Sequence, residues 1–191
     1  MRSKRLNNKK GEGYLIESLD LIRLCIFSLV LVYIFITFVL KPVEVIGDSM
    51  YPTLINGEKG LSNVFTRLTT PIKRFDVVVV KEPISQDLWV KRVIGLPGDV
   101  IEFKNDELFI NNKKYQETYL DKSYVNTKKT KNHLFTNNFK SKKLENDEYF
   151  LMGDNRSVSL DSRARGPFKE SQIICKSVIV LYPFDKFKVI E

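Results

Sequence analysis

At 191 residues and 43% hydrophobic content, the chain holds one ordinary domain plus a short appendage. That is enough for a core that hides roughly two thirds of the unfolded surface. The net charge of +8 comes without a recognisable nucleic-acid motif, so beside an apolar span it points to anionic lipid headgroups and not to nucleic acid.

The chain opens on Arg2, Lys4, Arg5, Lys9 and Lys10, with no acid among the first ten residues. From Leu24 to Leu40 no charge interrupts the sequence, and Arg23 and Lys41 bracket this run of 17 residues. At ~1.5 Å per residue it reaches roughly 25 Å, slightly short of a bilayer core of ~30 Å. Leu19, Leu21 and Ile22 extend it if Asp20 and Arg23 snorkel to the headgroups. Basic residues before the span place the N-terminus in the cytoplasm and everything after Lys41 outside. A cleaved signal peptide has a similar basic head, but this apolar run is longer and no small-x-small site follows it. The expected organisation is a cytoplasmic tail at 1–18, an uncleaved plasma-membrane anchor at 19–40 and an extracytoplasmic domain at 41–191.

After Pro42 the pattern becomes short runs rich in β-branched residues. Strands are expected at 43–46, 76–81, 88–94, 100–103, 107–110, 149–152 and 173–182, with a short helix at 64–68. The run Val77-Val78-Val79-Val80 is continuous instead of alternating, which predicts burial on both faces. The domain is therefore mostly β. Residues 113–143, rich in lysine and asparagine, read as an excursion, either a small β subdomain or a long mobile loop. His133 within it is a surface residue on this reading. Cys25 falls in the apolar span and Cys175 in a strand, different media that make a disulfide between them unexpected, and neither has metal-ligand spacing.

Three segments carry possible chemistry. Ser49 stands in Gly47-Asp48-Ser49-Met50-Tyr51-Pro52, just outside the span, and a serine hydroxyl needs a base within reach to act as a nucleophile. Lys91 stands in Trp89-Val90-Lys91-Arg92-Val93-Ile94. A lysine serves as base only when neutral, and burial lowers its ordinary pKa of ~10.4 because desolvation disfavours the charge. Strand alternation puts Trp89, Lys91 and Val93 on one face and Arg92 on the other. The third segment, 153–167, is too polar for a core strand and should order itself through internal bonds. Asp161 and Arg163 are natural partners there, and Asp154 is expected to join them.

Together, Ser49-Met50-Tyr51-Pro52-Thr53-Leu54, Lys91-Arg92-Val93-Ile94-Gly95-Leu96-Pro97-Gly98-Asp99 and Gly153-Asp154-Asn155-Arg156 through Ser159-Leu160-Asp161-Ser162-Arg163 resemble the bacterial type I signal peptidases. The single anchor and compact domain are similar to the Gram-positive form. The resemblance implies a signal-peptidase-like β fold and a serine endopeptidase. It makes Ser49 the nucleophile and Lys91 the general base, with Ser159 orienting the Lys91 ammonium. Asp161 and Arg163 become a structural ion pair, with Asp154 nearby. The Ser49 backbone N–H donates to the oxyanion. Val45, Ile46, Met50, Leu54, Trp89 and Val90 match positions lining shallow pockets for small residues at the first and third positions before the bond, often Ala-x-Ala, and Met50 and Leu54 are also placed to rest on lipid. Two departures stand out. Gly47 lacks the hydroxyl that gives the Gram-negative branch a second oxyanion donor, and Phe75 replaces the usual glycine of an Arg-Gly-Asp turn.

On this resemblance the partners are preproteins with signal peptides and the bilayer, the enzyme is a monomer, and no metal or cofactor is needed. Two other readings use the same residues. One is a Ser–Lys self-cleaving repressor-like protease, which the membrane span disfavours. The other is an anchored β domain that binds peptide or lipid through a silent site.

Overall fold

The computed structural model describes residues 2–130 and 133–190. Lys131, within the lysine-rich excursion, lies outside them, as do the side chains of the basic tail. Helix α1 spans Arg2–Val39, and its residues 17–36 form a window of 20 residues long and apolar enough to cross a membrane. Its two central charges answer each other one turn apart, with Arg23 Nη1 2.9 Å from Asp20 Oδ1. The helix and the domain that begins at Leu40 are separate compact units. Leu40, expected as the last residue of the span, instead opens the first strand.

The domain is built from strands β1 (Leu40–Glu44), β2 (Lys59–Asn63), β3 (Val77–Lys81), β4 (Leu88–Gly95), β5 (Ile101–Lys104), β6 (Glu107–Ile110) and β7 (Lys113–Tyr115). It continues with β8 (Phe139–Lys140), β9 (Glu148–Met152), β10 (Phe168–Lys169), β11 (Ile173–Tyr182) and β12 (Lys188–Ile190). Short helices α2 (Val64–Thr69), α3 (Lys122–Lys128) and α4 (Ser162–Arg165) interrupt them. The main sheet runs β1-β2-β11-β3-β4-β9-β10, with β12 added to β11. A second sheet, β7-β6-β5-β8, is carried by the segment between β4 and β9. Pro42 is tolerated because β1 is an edge strand, where a missing N–H breaks no central ladder.

The valine run behaves as its continuity predicts. β3 lies between β4 and β11, and Val77 to Val80 are all at most 1% exposed. Val77 and Val79 pack with Val43, Val45, Met50, Leu54, Cys175 and Val178 on one face. Val78 and Val80 pack with Val93, Leu151, Phe168 and Ile173 on the other. A third cluster, including Ile94, Phe103, Leu108, Phe150 and Met152, fills the space under the smaller sheet.

β2 shows no sequence signal, since Lys-Gly-Leu-Ser-Asn lacks β-branched residues, and it forms because β1 and β11 flank it. Gly60 allows the close approach: a Cβ there would sit 2.0 Å from the Ile179 carbonyl oxygen. The excursion is neither wholly sheet nor loose loop. β7 and β8 edge the second sheet, and α3 is capped where Asp121 Oδ1 accepts from the Tyr124 N–H at 2.7 Å. His133 is exposed, Cys175 is buried, and both cysteines are free.

Candidate active site

Ser49 sits in the turn that follows β1. Met50 and Leu54, 1% and 0% exposed, anchor this turn in the first core cluster, and the Leu54 N–H donates to the Met50 carbonyl at 2.9 Å. Burial of the two flanks leaves Ser49 half-exposed above them. Gly47 donates its N–H to Asn56 Oδ1 at 2.9 Å, which fixes the entry to the turn. Asn155 grips the turn from across the domain. Its backbone N–H donates to the Ser49 carbonyl at 3.0 Å and its Nδ2 to the Asp48 carbonyl at 3.0 Å. Sequence reasoning misses this role of Asn155, although the residue stands inside the polar segment 153–167.

Lys91 lies on β4 opposite Val78 and is 3% exposed. Its Nζ is 5.3 Å from the centre of the Trp89 ring. Among the described residues no carboxylate pairs directly with it. Burial pushes its pKa down to about 8, the nearby Arg163 charge adds to the fall, and the carboxylates of Asp161 and Asp154 oppose it from a distance. Ser49 and Lys91 line one cleft of about 380 Å³, together with Val45, Ile46, Met50, Trp89 and Val90. Leu54 does not line it, because it is wholly consumed by the core. The same burial rules out a lipid-resting role for Met50 and Leu54.

The polar segment closes behind Ser49 and Lys91. The Ser159 hydroxyl oxygen is buried and makes no well-formed hydrogen bond, though it lies near enough to the Asp161 carboxylate to favour its ionised form. Gly153 is required by close approach: a Cβ there would fall 2.3 Å from both Ser159 Oγ and the Ser49 carbonyl oxygen. Asp161 and Arg163 form a two-pronged pair, Nε to Oδ1 at 2.9 Å and Nη2 to Oδ2 at 2.8 Å. Burial works against the charge on Asp161, but Arg163 and the Gly153 N–H overcome it and hold the carboxyl below its usual range. Arg163 also donates to the Arg156 carbonyl at 2.7 Å, tying the segment's two ends.

Asp154 does not join that pair. It binds Arg92, with Nε to Oδ1 and Nη2 to Oδ2 both at 2.8 Å, and accepts from Thr53 Oγ1 at 2.5 Å. The reason is strand alternation: Arg92 leaves β4 on the face opposite Lys91 and meets Asp154 where β9 ends. Arg92 also donates Nη1 to the Phe75 carbonyl at 2.7 Å and stacks 4.2 Å from the centre of the Tyr119 ring. Phe75 does take the left-handed angle that glycine serves, with φ 74°. It is held there by its N–H bond to the Val93 carbonyl at 2.7 Å and by ring contact with Tyr119 at 5.0 Å. Arg156, also missed from sequence, is buried and binds Glu117 and Thr136 Oγ1, fastening the excursion to the polar segment. Glu117 stands in no motif, so nothing in the sequence marked it as Arg156's partner.

Residues 18–182 match the family model described as signal peptidase, peptidase S26. The chain is 40% identical over 171 residues to signal peptidase I P of Bacillus subtilis subsp. natto, covering 89% of this chain and 92% of that one. It is 38% identical over 171 residues to signal peptidase IB of Staphylococcus aureus strain Mu50, covering 84% and 87% respectively. A solved signal peptidase I from Enterococcus faecalis V583 superposes with a TM-score of 0.52 at 31% identity, covering 56% of this chain and 97% of that one. The chain therefore belongs to the signal peptidase family, peptidase S26, a family of serine endopeptidases.

Proposed function

We propose that this chain is a membrane-anchored endopeptidase that removes signal peptides from exported preproteins through Ser49 and Lys91. The observation that carries this reading is a buried lysine, with no carboxylate in contact among the described residues, sharing one cleft with a serine. Neutral Lys91 takes the Ser49 proton as Oγ attacks the carbonyl carbon of the last signal-peptide residue. The Ser49 N–H stabilises the resulting oxyanion. Collapse breaks the C–N bond, Lys91 delivers its proton to the departing amine, and an ester to Ser49 remains. Lys91 then takes a proton from a water whose oxygen attacks the ester carbon, and returns it to Ser49 Oγ as the acyl–oxygen bond breaks, restoring both groups. Ser159 orients the Lys91 ammonium, and the Asp161–Arg163 pair holds Ser159's segment in place. Val45, Ile46, Met50, Trp89 and Val90, which line the cleft, take small side chains at the first and third positions before the bond.

In this reading α1 anchors the enzyme with its basic end in the cytoplasm and the domain outside, at the surface where preproteins emerge. The enzyme acts as a monomer, with residues 1–18, 19–39 and the domain from Leu40 as tail, anchor and catalytic part. The test is mass spectrometry of a secretory preprotein incubated with the full chain in detergent, beside Ser49→Ala. A new N-terminus after a small-x-small site, absent with the variant, is the expected result. Cleavage that survives Ser49→Ala overturns the assignment of the nucleophile.

A further inference from the structure

The cleft holding Ser49 and Lys91 does not end at the nucleophile. Asp48 and Val158, on its rim, also line a second cleft of about 780 Å³. One wall of this second cleft is the continuation of the Ser49 turn, through Tyr51 and Pro52. The other is α3, through Asp121, Tyr124 and Lys128. The walls are fixed to each other: the Tyr124 ring meets Tyr51 edge-on at 5.0 Å and Phe135 at 6.2 Å. Behind them the excursion is fastened to the catalytic segment by the buried Arg156–Glu117 pair.

A polypeptide lying across Ser49 has two ends. The side chains assigned above to residues before the scissile bond line the first cleft and not the second. The chain after the bond must leave on the other side of the nucleophile, and the second cleft opens there. We propose that this cleft binds the first residues of the mature protein, so that the lysine-rich excursion, through α3, selects among preproteins by the residues just after the cleavage site. This rests on the peptidase reading above. Three extended residues reach ~10 Å, a length that a cleft of this volume accommodates. Its charge sets the preference. The carboxylates of Asp48 and Asp121 face one ammonium, that of Lys128, which sits 5.4 Å from the centre of the Tyr124 ring. Acidic mature segments are disfavoured and basic ones favoured. Because these groups are exposed, water and salt hold the effect to a few-fold.

The experiment uses two preproteins identical up to the bond, carrying Lys or Glu at the second and third mature positions, with kcat/KM measured at low salt on the full chain. The wild type is expected to favour the Lys form about 5-fold. Asp121→Asn keeps an oxygen to cap α3 and narrows the ratio to about 2, whereas Lys128→Glu widens it to about 10-fold or more. Lys143→Glu makes the same charge change in a residue that lines neither cleft, and it leaves the ratio at the wild-type value. Cleavage of both preproteins at ratios that neither cleft substitution moves overturns the inference alone. So does a ratio that Lys143→Glu shifts as far as Lys128→Glu. No cleavage of either preprotein overturns the peptidase reading and this inference with it.

Discussion

Lys91 and Arg92 are neighbours on one strand, both buried, at 3% and 4% exposure, and they meet opposite fates. Arg92 is satisfied on every side by the Asp154 carboxylate, the Phe75 carbonyl and the Tyr119 ring. Among the described residues Lys91 has no carboxylate in contact; it meets the face of Trp89 and feels the more distant charges of Asp161, Arg163 and Asp154. The pleat of β4 accounts for the split, because successive side chains leave opposite faces. One face of the strand carries a fully paired cation, and the other a buried lysine with no carboxylate in contact among the described residues. What separates them is the partner that is withheld: Lys176, also buried, has the Asp76 carboxylate at 2.8 Å, and Lys91 has no such partner among the described residues.

The sharpest way to break this comparison is to remove each cation in turn. Lys91→Met should reduce preprotein cleavage by on the order of 10³-fold or more. It should raise the unfolding free energy by about 1–3 kcal/mol at pH 7, since an unpaired buried charge is replaced by an apolar chain. Arg92→Met should lower stability by about 3–5 kcal/mol, because Asp154 is left buried without its partner. Urea denaturation midpoints and initial cleavage rates for the two variants measure both. If the two substitutions shift stability in the same direction, the contrast between the faces is lost.

Changing pH sharpens the comparison without mutation. With Lys91 titrating near 8, kcat/KM should rise about tenfold per unit below that pH and level off above it. The linked stability effect runs the same way. The folded pKa lies below the ordinary value of 10.5, so the unfolded chain binds more protons between the two. The stability deficit is complete below pH 8 and is recovered as pH rises from 8 towards 10.5. At ~1.36 kcal/mol per unit it amounts to about 3 kcal/mol. The stability gap between wild type and Lys91→Met should therefore close over that window. Undiminished activity at pH 5 is the result that removes Lys91 as the base.

The smallest effect belongs to the rigid face. Phe75 holds a left-handed backbone angle while its carbonyl serves Arg92. Phe75→Gly and Phe75→Ala both lose the ring, but only glycine takes φ 74° without strain. The glycine variant should be the more stable of the two by about 1 kcal/mol, read from thermal unfolding. Equal stabilities would mean that the turn relaxes once the ring is gone.

Much of this molecule is written locally. The apolar run of α1, the valines of β3 and the alternation of β4 come from side-chain period and composition alone, and the Ser49, Lys91 and Ser159 segments stand out by their resemblance to a known family. They needed only neighbours in sequence, which is why they could be read. Other features depend on residues far apart in the chain. β2 is a strand because β1 and β11 close around Lys-Gly-Leu-Ser-Asn. Leu54 belongs to the core and not to the cleft because the turn folds inwards over it. Asp154 pairs with Arg92 and not with the Asp161–Arg163 pair, and the face on which Arg92 emerges decides it. Asn155 grips Ser49, and Arg156 finds Glu117, across separations of 106 and 39 residues that no local pattern records. By itself the sequence determined the apolar helix, the strands with a β-branched pattern and the polar segments between them. Tertiary structure decided which polar groups are paired and which are left free, because that depends on distance in space and on the exclusion of water, neither of which a linear pattern contains.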